Sequence, residues 1–78
     1  MSHEQMIEKV IAVVQRETGR EEIDARTRLD SLGMDSLEFM SLIICLRAEI
    51  GDIPDEAISY METIDDVAKI LAGRPVKA

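Results

Sequence analysis

Apolar side chains recur every three or four residues over residues 3 to 17 of the chain. This spacing places them on one face of a helix. They are Met6, Ile7, Val10, Ile11, Val13 and Val14. Ser2 and Gln5 form the Ser-x-x-Gln pattern of a capping box, and Gly19 can adopt the left-handed conformation that ends many helices. The pattern therefore predicts a first helix between Ser2 and Gly19.

The periodic pattern lapses over residues 20 to 35, where isolated apolar residues are separated by charged and small polar ones. This predicts a long loop, and a loop of this length in a small domain is usually held by a few inward side chains. The candidates are Ile23, Leu29 and Leu32. Thr27 and Asp30 have the spacing of a cap for a short turn within the loop.

A second helix is predicted from about Ser36 to Ile50, and it stops at Gly51. Asp35 is the better N-cap, because Glu38 lies three residues on and the pair imitates a capping box. Ser36 would then occupy the first helical position with its hydroxyl exposed.

The remainder of the chain predicts two more helical segments. Pro54-Asp55 opens a brief turn around residues 56 to 60, and Thr63-x-x-Asp66 opens a last helix. The apolar face of that helix is Ile64, Val67, Ala68, Ile70 and Leu71, and Gly73 and Pro75 follow it. No strand pattern or repeat competes. We therefore predict an all-α fold, a small four-helix bundle of three longer helices plus one short helix with a long loop between helices 1 and 2, as a single domain over residues 1 to 78.

The second helix carries more apolar side chains than one core face needs. At about 100° per residue, one arc has the width of a core-facing stripe. This stripe is Phe39, Leu42, Ile43, Leu46 and Ile50. Leu37, Met40 and Ile44 fall in a different arc. Two interpretations of this second arc stay open: it is an exposed docking strip, or neighbouring helices and the long loop cover it.

Composition narrows the function classes. The chain is 46% hydrophobic with one Tyr, one Phe and no Trp, so its core is aliphatic and offers no surface for stacking bases. The formal charge of -7 argues against nucleic acid as a partner and favours basic protein partners.

A lone cysteine, Cys45, excludes an intrachain disulfide, and we expect it in or near the core. We also expect a cytoplasmic protein without membrane insertion or a metal centre, since targeting and spanning patterns are absent and His3 is the only histidine.

Ser36 has no candidate partner for nucleophilic catalysis. A serine nucleophile needs a base within hydrogen-bond reach, and the chain has neither a Gly-x-Ser-x-Gly elbow nor a histidine beyond His3 near its start. We therefore expect a protein that is not an enzyme.

The string "DSLGMDSLEFMSLI" around Ser36 resembles the Asp-Ser-Leu signature of the acyl carrier protein family. The order of helix, long loop, "DSL" helix, "IPDE" turn and final "TIDDV" helix is similar to that family over nearly all 78 residues. The resemblance implies that a phosphopantetheinyl transferase attaches 4'-phosphopantetheine from coenzyme A to Ser36. The thiol of this arm would carry acyl groups as thioesters, in fatty-acid or a specialised lipid or polyketide biosynthesis.

The resemblance also implies a monomeric carrier that meets acyl-transferring, ligase or synthase enzymes through their basic docking patches. The implied recognition residues are Asp35, Leu37, Glu38, Met40, Ser41, Ile44 and Glu49. Some positions depart from the family pattern: Ser41, Arg47 and Ala48 stand where fatty-acid members carry a denser acidic run, and Phe39 is bulkier than usual. These departures indicate a dedicated set of partners.

Three other functions are weighed against the acyl carrier. An aminoacyl or peptidyl carrier uses the same arm, but Asp35 and the charge of -7 favour an acyl carrier. A helical interaction module would bind through the Leu37, Met40 and Ile44 strip without modification. A calcium sensor would need an EF-hand loop, which is absent, so the late acidic residues are interpreted as solvated charges and caps. They are Asp52, Asp55, Glu56, Asp65 and Asp66.

Overall fold

Three α-helices form the framework of the protein in a computed structural model that describes residues 2 to 74. They are α1 (His3–Thr18), α2 (Ser36–Glu49) and α3 (Ile64–Leu71). A short 3-10 helix, Asp55–Tyr60, lies between α2 and α3. The predicted all-α fold of three longer helices and one short helix is confirmed, and the described residues contain no strand. The long loop contains one further 3-10 turn, Leu29–Leu32.

Local capping chemistry begins α1 and α3 at the predicted residues. The Ser2 hydroxyl accepts from Gln5 N at 3.1 Å and Gln5 Oε1 accepts from Ser2 N at 2.9 Å. Thr63 and Asp66 make the same reciprocal pair at 3.2 and 3.1 Å. Gly19 ends α1 with φ of 73°, in the left-handed region that favours glycine. Pro75, predicted to follow the last helix, lies outside the described residues.

The core forms where α1 packs against both α2 and α3. The helices contribute Met6, Val10, Val13 and Val14, then Leu42, Ile43 and Leu46, then Ile64, Val67, Ala68 and Ile70. The connecting segments contribute Leu29, Leu32, Ile53 and Met61. Leu29 and Leu32 are buried as predicted, and Ile23 packs against the core while partly exposed. Cys45 is a partly buried free thiol against the same core, and burial raises its pKa.

The prediction that Thr27 and Asp30 cap a turn in the long loop is wrong. The Thr27 hydroxyl instead accepts from Asp24 N at 2.9 Å, and Asp30 accepts from the Arg28 guanidinium at 3.2 Å. The 3-10 turn begins after Arg28 without a side-chain cap. A threonine side chain can accept from another nearby backbone amide instead, and here Asp24, three residues before Thr27, offers one.

Backbone hydrogen bonds fasten the long loop to the start of α3, which the sequence patterns did not predict. Arg28 and Thr63 form an isolated antiparallel bridge. The bonds run from Leu29 N to Glu62 O at 2.9 Å, from Ile64 N to Thr27 O at 3.1 Å, and from Asp65 N to Ala25 O at 2.9 Å. This attachment holds Leu29 in the core.

Among residues 2 to 74, no helix has the length and hydropathy that crossing a bilayer requires.

Candidate functional site

Ser36 is the first residue of α2, and its side chain is exposed. The capping role belongs to Asp35, whose Oδ1 accepts from Glu38 N at 2.8 Å while Glu38 Oε1 accepts from Asp35 N at 3.2 Å. No hydrogen bond within the described residues engages the Ser36 hydroxyl. The predicted arrangement is therefore confirmed: Asp35 caps the helix, and Ser36 presents a free hydroxyl.

The first turn of α2 suits an anion attached to that hydroxyl. The amides at the start of a helix have no partner within the helix, and the helix dipole places partial positive charge there. The carboxylate of Asp35 already accepts from the amide of Glu38. The amides of Ser36 and Leu37 come before that amide in the same turn. A phosphate ester on Ser36 would lie close to these donors. The site thus fits a phosphate-linked group by its own backbone geometry.

A shallow apolar depression adjoins Ser36. Three parts of the chain meet around it: the long loop, the first turns of α2 and the segment before α3. Its lining residues are Leu29, Asp30, Met34, Asp35, Ser36, Phe39 and Met61. Gly33, with φ of 70°, ends the 3-10 turn and directs the chain toward Asp35. The sequence patterns did not place Leu29 and Met61 at the site, because both arrive there only through the attachment of the loop to α3.

The second apolar arc of α2 is exposed. The solvent-exposed fractions of Leu37, Met40 and Ile44 are 80%, 44% and 61%. On the opposite face Leu42, Ile43 and Leu46 are buried, and Phe39 and Ile50 are partly buried against the core. The structure therefore excludes the interpretation in which neighbouring helices and the long loop cover this second arc, and its role as a docking strip stays a prediction.

Comparison with known proteins places this geometry in a family. A family model described as the phosphopantetheine attachment site matches residues 8–71. The chain belongs to the acyl carrier protein family. It is 32% identical over 79 residues to an acyl carrier protein of Prochlorococcus marinus (strain MIT 9515), an alignment covering 95% of this chain and 98% of the relative. Acyl carrier proteins of Rhodopseudomonas palustris (strain TIE-1) and Nitrobacter winogradskyi are each 36% identical over 50 residues, or 63% of both chains. No solved structure matches.

Membership of the acyl carrier protein family confirms two predictions. The protein is a carrier and not a catalyst, in agreement with the lack of a candidate base for Ser36. The cofactor of the family is covalent 4'-phosphopantetheine, as predicted. The exposed hydroxyl and the unpaired amides of α2 fit attachment of that phosphate-linked group.

Glu49, expected as an acidic recognition residue, is held by α1. Arg16 Nη1 donates to Glu49 Oε1 at 2.8 Å, and Arg16 Nη2 donates to the other carboxylate oxygen. The hydrogen bonds from Arg16 lower the pKa of Glu49, and the same contacts raise the pKa of Arg16. Glu49 is therefore half of an exposed ion pair between α1 and α2.

Arg47, a departure from the acidic pattern of the family, has a structural role. Its guanidinium donates to the carbonyl oxygen of Ile53 at 2.6 and 3.0 Å, and to Asp55 Oδ1 at 2.8 Å. These bonds attach the end of α2 to the start of the short 3-10 helix. The sequence suggested that Arg47 differs from the family pattern, but no local pattern indicated this contact.

The late acidic residues are engaged mainly within the fold. Asp66 caps α3, as predicted, and Asp55 receives Arg47. Asp65 lies between His3 Nε2 at 2.6 Å and Lys69 Nζ at 3.1 Å. Over residues 2 to 74, histidine, cysteine and carboxylate side chains do not converge on a point that could hold a metal ion. These residues therefore act as caps and charges, and Asp55 and Asp65 also form ion pairs that the sequence did not indicate.

Proposed function

We propose that Ser36 carries the 4'-phosphopantetheine arm, and that the thiol of the arm carries acyl groups as thioesters. One observation carries the assignment of the residue. The Ser36 hydroxyl is exposed at the first position of α2, while Asp35 performs the capping that would otherwise explain a serine there. Family membership supplies the cofactor, and this arrangement supports Ser36 as the residue that holds it.

Attachment needs a phosphopantetheinyl transferase, because the carboxylates nearest to Ser36 along the chain, those of Asp35 and Glu38, are bound in the capping box of α2. The Oγ of Ser36 forms a bond to the phosphorus next to the pantetheine of coenzyme A. The bond from that phosphorus to the adenosine bisphosphate portion breaks, and this portion leaves. The hydroxyl proton passes to a base on the transferase. In loading, an activated acyl donor gives up its acyl group: a bond forms between the thiol sulfur and the carbonyl carbon, the bond from that carbon to the donor's leaving group breaks, and the leaving group takes the thiol proton.

The carrier serves fatty-acid synthesis or a specialised lipid or polyketide pathway, in the cytoplasm and as a monomer. The arrangement of α2 supports a dedicated set of acyl-transferring, ligase or synthase partners. Ser41 and Ala48 leave its exposed face without the acidic run of fatty-acid members, and Arg47 is occupied by the neighbouring segment. An aminoacyl or peptidyl carrier is the alternative, and loading assays with acyl and aminoacyl donors separate the two.

Intact-mass measurement tests the attachment residue. Apo protein is incubated with coenzyme A and a broad-specificity phosphopantetheinyl transferase, and we expect one phosphopantetheine on the wild type and none on Ser36→Ala. Ser59→Ala is the matched control, since Ser59 is an exposed serine in the short 3-10 helix, and it should be modified like the wild type. Absence of modification in the wild type would favour an unmodified interaction module. Modification of Ser36→Ala would refute the assignment of the residue.

A further inference from the structure

We infer that Arg28 binds the phosphate group that joins the arm to Ser36. Arg28 lies in the long loop, directly before the 3-10 turn Leu29–Leu32. Its side chain is exposed, and Asp30 holds its guanidinium. The inference rests on the proposed function at Ser36, and it adds a charged side chain to the backbone amides of α2 as a partner of that phosphate.

Arg28 is tied to the rim of the depression beside Ser36. Asp30 and Ser36 both line this depression, which has a volume of about 320 Å³. Arg28 Nε donates to Asp30 Oδ1 and Arg28 Nη2 donates to Asp30 Oδ2, each at 3.2 Å. In the part of the chain that the structure describes, no other lysine or arginine side chain bonds to a residue that lines the depression. The fold thus holds the charge of Arg28 close to the attachment residue.

The backbone of Arg28 is fixed, so its side chain starts from a defined point. Arg28 and Thr63 form the antiparallel bridge that fastens the long loop to the start of α3. The carbonyl oxygen of Arg28 accepts from Ser31 N at 3.1 Å and from Ser31 Oγ at 2.6 Å. Binding of a phosphate therefore orders the end of one side chain and no loop, which keeps its entropic cost low.

The guanidinium of Arg28 keeps donors for a second anion. Nε and Nη2 contact Asp30, and Nη2 also lies 3.6 Å from a carboxylate oxygen of Glu62. Nη1 has no hydrogen-bond partner among residues 2 to 74. An arginine carries five N–H donors in a planar fork that matches phosphate oxygens. Because an exposed ion pair is weak, the side chain can also turn from Asp30 toward a phosphate without disturbing the fold.

The charges around Ser36 favour this contact. A phosphodiester on Ser36 brings a further negative charge to a chain whose formal charge is already -7. The carboxylates of Asp30 and Asp35 belong to residues that line the same depression. Asp35 accepts from the backbone amide of Glu38, whereas Asp30 accepts from Arg28. Without Arg28, the Asp30 carboxylate would repel the phosphate. Arg28 offsets this repulsion and supplies a charged hydrogen-bond donor.

Nuclear magnetic resonance of the holo protein tests the inference. Isotope-labelled apo protein is converted to the holo form with coenzyme A and a broad-specificity phosphopantetheinyl transferase. The phosphorus resonance reports the surroundings of the phosphodiester, and the Nε–H resonance of Arg28 reports those of the guanidinium. Arg28→Gln removes the charge. Arg26→Gln is the matched control, because it removes the same charge from an exposed position of the same loop. Far-UV circular dichroism confirms that both variants keep their helices.

We expect the phosphorus resonance to shift in Arg28→Gln and to keep its wild-type position in Arg26→Gln. In the wild type, the Nε–H resonance of Arg28 should shift between the apo and holo forms. This second comparison needs no variant, so it decides the question even where Arg28→Gln fails to fold. An unchanged phosphorus resonance in folded Arg28→Gln, or an unchanged Arg28 resonance on attachment, would overturn the inference and leave the attachment to Ser36 intact. A wild type that acquires no arm would overturn both.

Discussion

Nε2 of His3, the first residue of α1, lies 2.6 Å from Oδ1 of Asp65 in the first turn of α3. Lys69, one turn further along α3, approaches the other oxygen of the same carboxylate at 3.1 Å. The carboxylate of Asp65 thus joins the beginnings of two helices that pack against each other. This contact belongs to the scaffold of the carrier and lies outside the Ser36 site.

The Asp65 carboxylate should make stability depend on acid pH. The hydrogen bond with His3 lowers the pKa of Asp65 against the opposing effect of partial burial, and Lys69 adds to the lowering. A carboxyl group with a lowered pKa in the folded state stabilises fully above its unfolded pKa of about 3.9, and this contribution is lost as the pH falls through the folded value. Asp65→Asn should therefore lower the Tm by a few degrees at pH 7 and by much less below the folded pKa.

Thermal unfolding of Asp65→Asn followed by circular dichroism across that pH range measures this dependence. Asp52→Asn is the matched control, because Asp52 is an exposed carboxylate in the segment after α2. It should leave the Tm nearly unchanged at both ends of the range. An equal loss of Tm at neutral and strongly acid pH for Asp65→Asn would show that the ionised carboxylate is not the stabilising species.

Arg47→Ala should loosen the segment that connects α2 to the short 3-10 helix. The variant leaves the Ile53 carbonyl without its guanidinium donors, and a hydrogen bond to a charged group contributes about 1.5 to 3 kcal/mol. We expect a comparable decrease in the free energy of unfolding and faster amide exchange over residues 51 to 60. Arg26→Ala, at an exposed loop position, is the control and should have little effect. Unchanged exchange in Arg47→Ala would contradict the prediction.

Ile53→Ala should be strongly destabilising, although Ile53 lies outside the α-helices. Its side chain has an exposed fraction of 0%, and truncation of a buried isoleucine costs about 2 to 5 kcal/mol in unfolding free energy. The same substitution at Ile44, which is 61% exposed, should change that free energy by less than about 0.5 kcal/mol. Urea denaturation of both variants makes the comparison. Similar losses would mean that Ile44 is covered in solution.

Substitutions of Asp35 and Leu37 should separate the effect of helix capping on stability from the effect of recognition on phosphopantetheine addition. Asp35→Ala removes an N-cap and should lower the free energy of unfolding by about 1 kcal/mol, whereas Asp35→Asn keeps the cap and should change it by a few tenths. Leu37→Ala removes an exposed side chain, so it should leave stability nearly unchanged and slow phosphopantetheine addition. Denaturant titration and transfer kinetics on the same samples test both points. A folded Asp35→Ala/Leu37→Ala double variant modified at the wild-type rate would refute the role in recognition.

Much of the helical framework could be predicted because its signals are short-range. The capping boxes of Ser2, Asp35 and Thr63 each involve residues three positions apart, so the pattern in the chain is already the contact. The wrong prediction of a cap at Thr27 also comes from the short range of these signals, because several nearby groups compete for one hydroxyl. Ile53 and Met61 were missed as core residues, since each lies in a short connection without a periodic pattern.

The helices, their caps and the position of Ser36 at the start of α2 follow from the chain alone, because they depend on neighbours within one turn. Helix packing sets which surplus residues of α2 stay exposed and which charges are paired. The pairs of Arg16 with Glu49 and of His3 with Asp65 join positions 33 and 62 residues apart. Such contacts depend on how α1 packs against α2 and α3, and spacing along one helix carries no record of what packs against it.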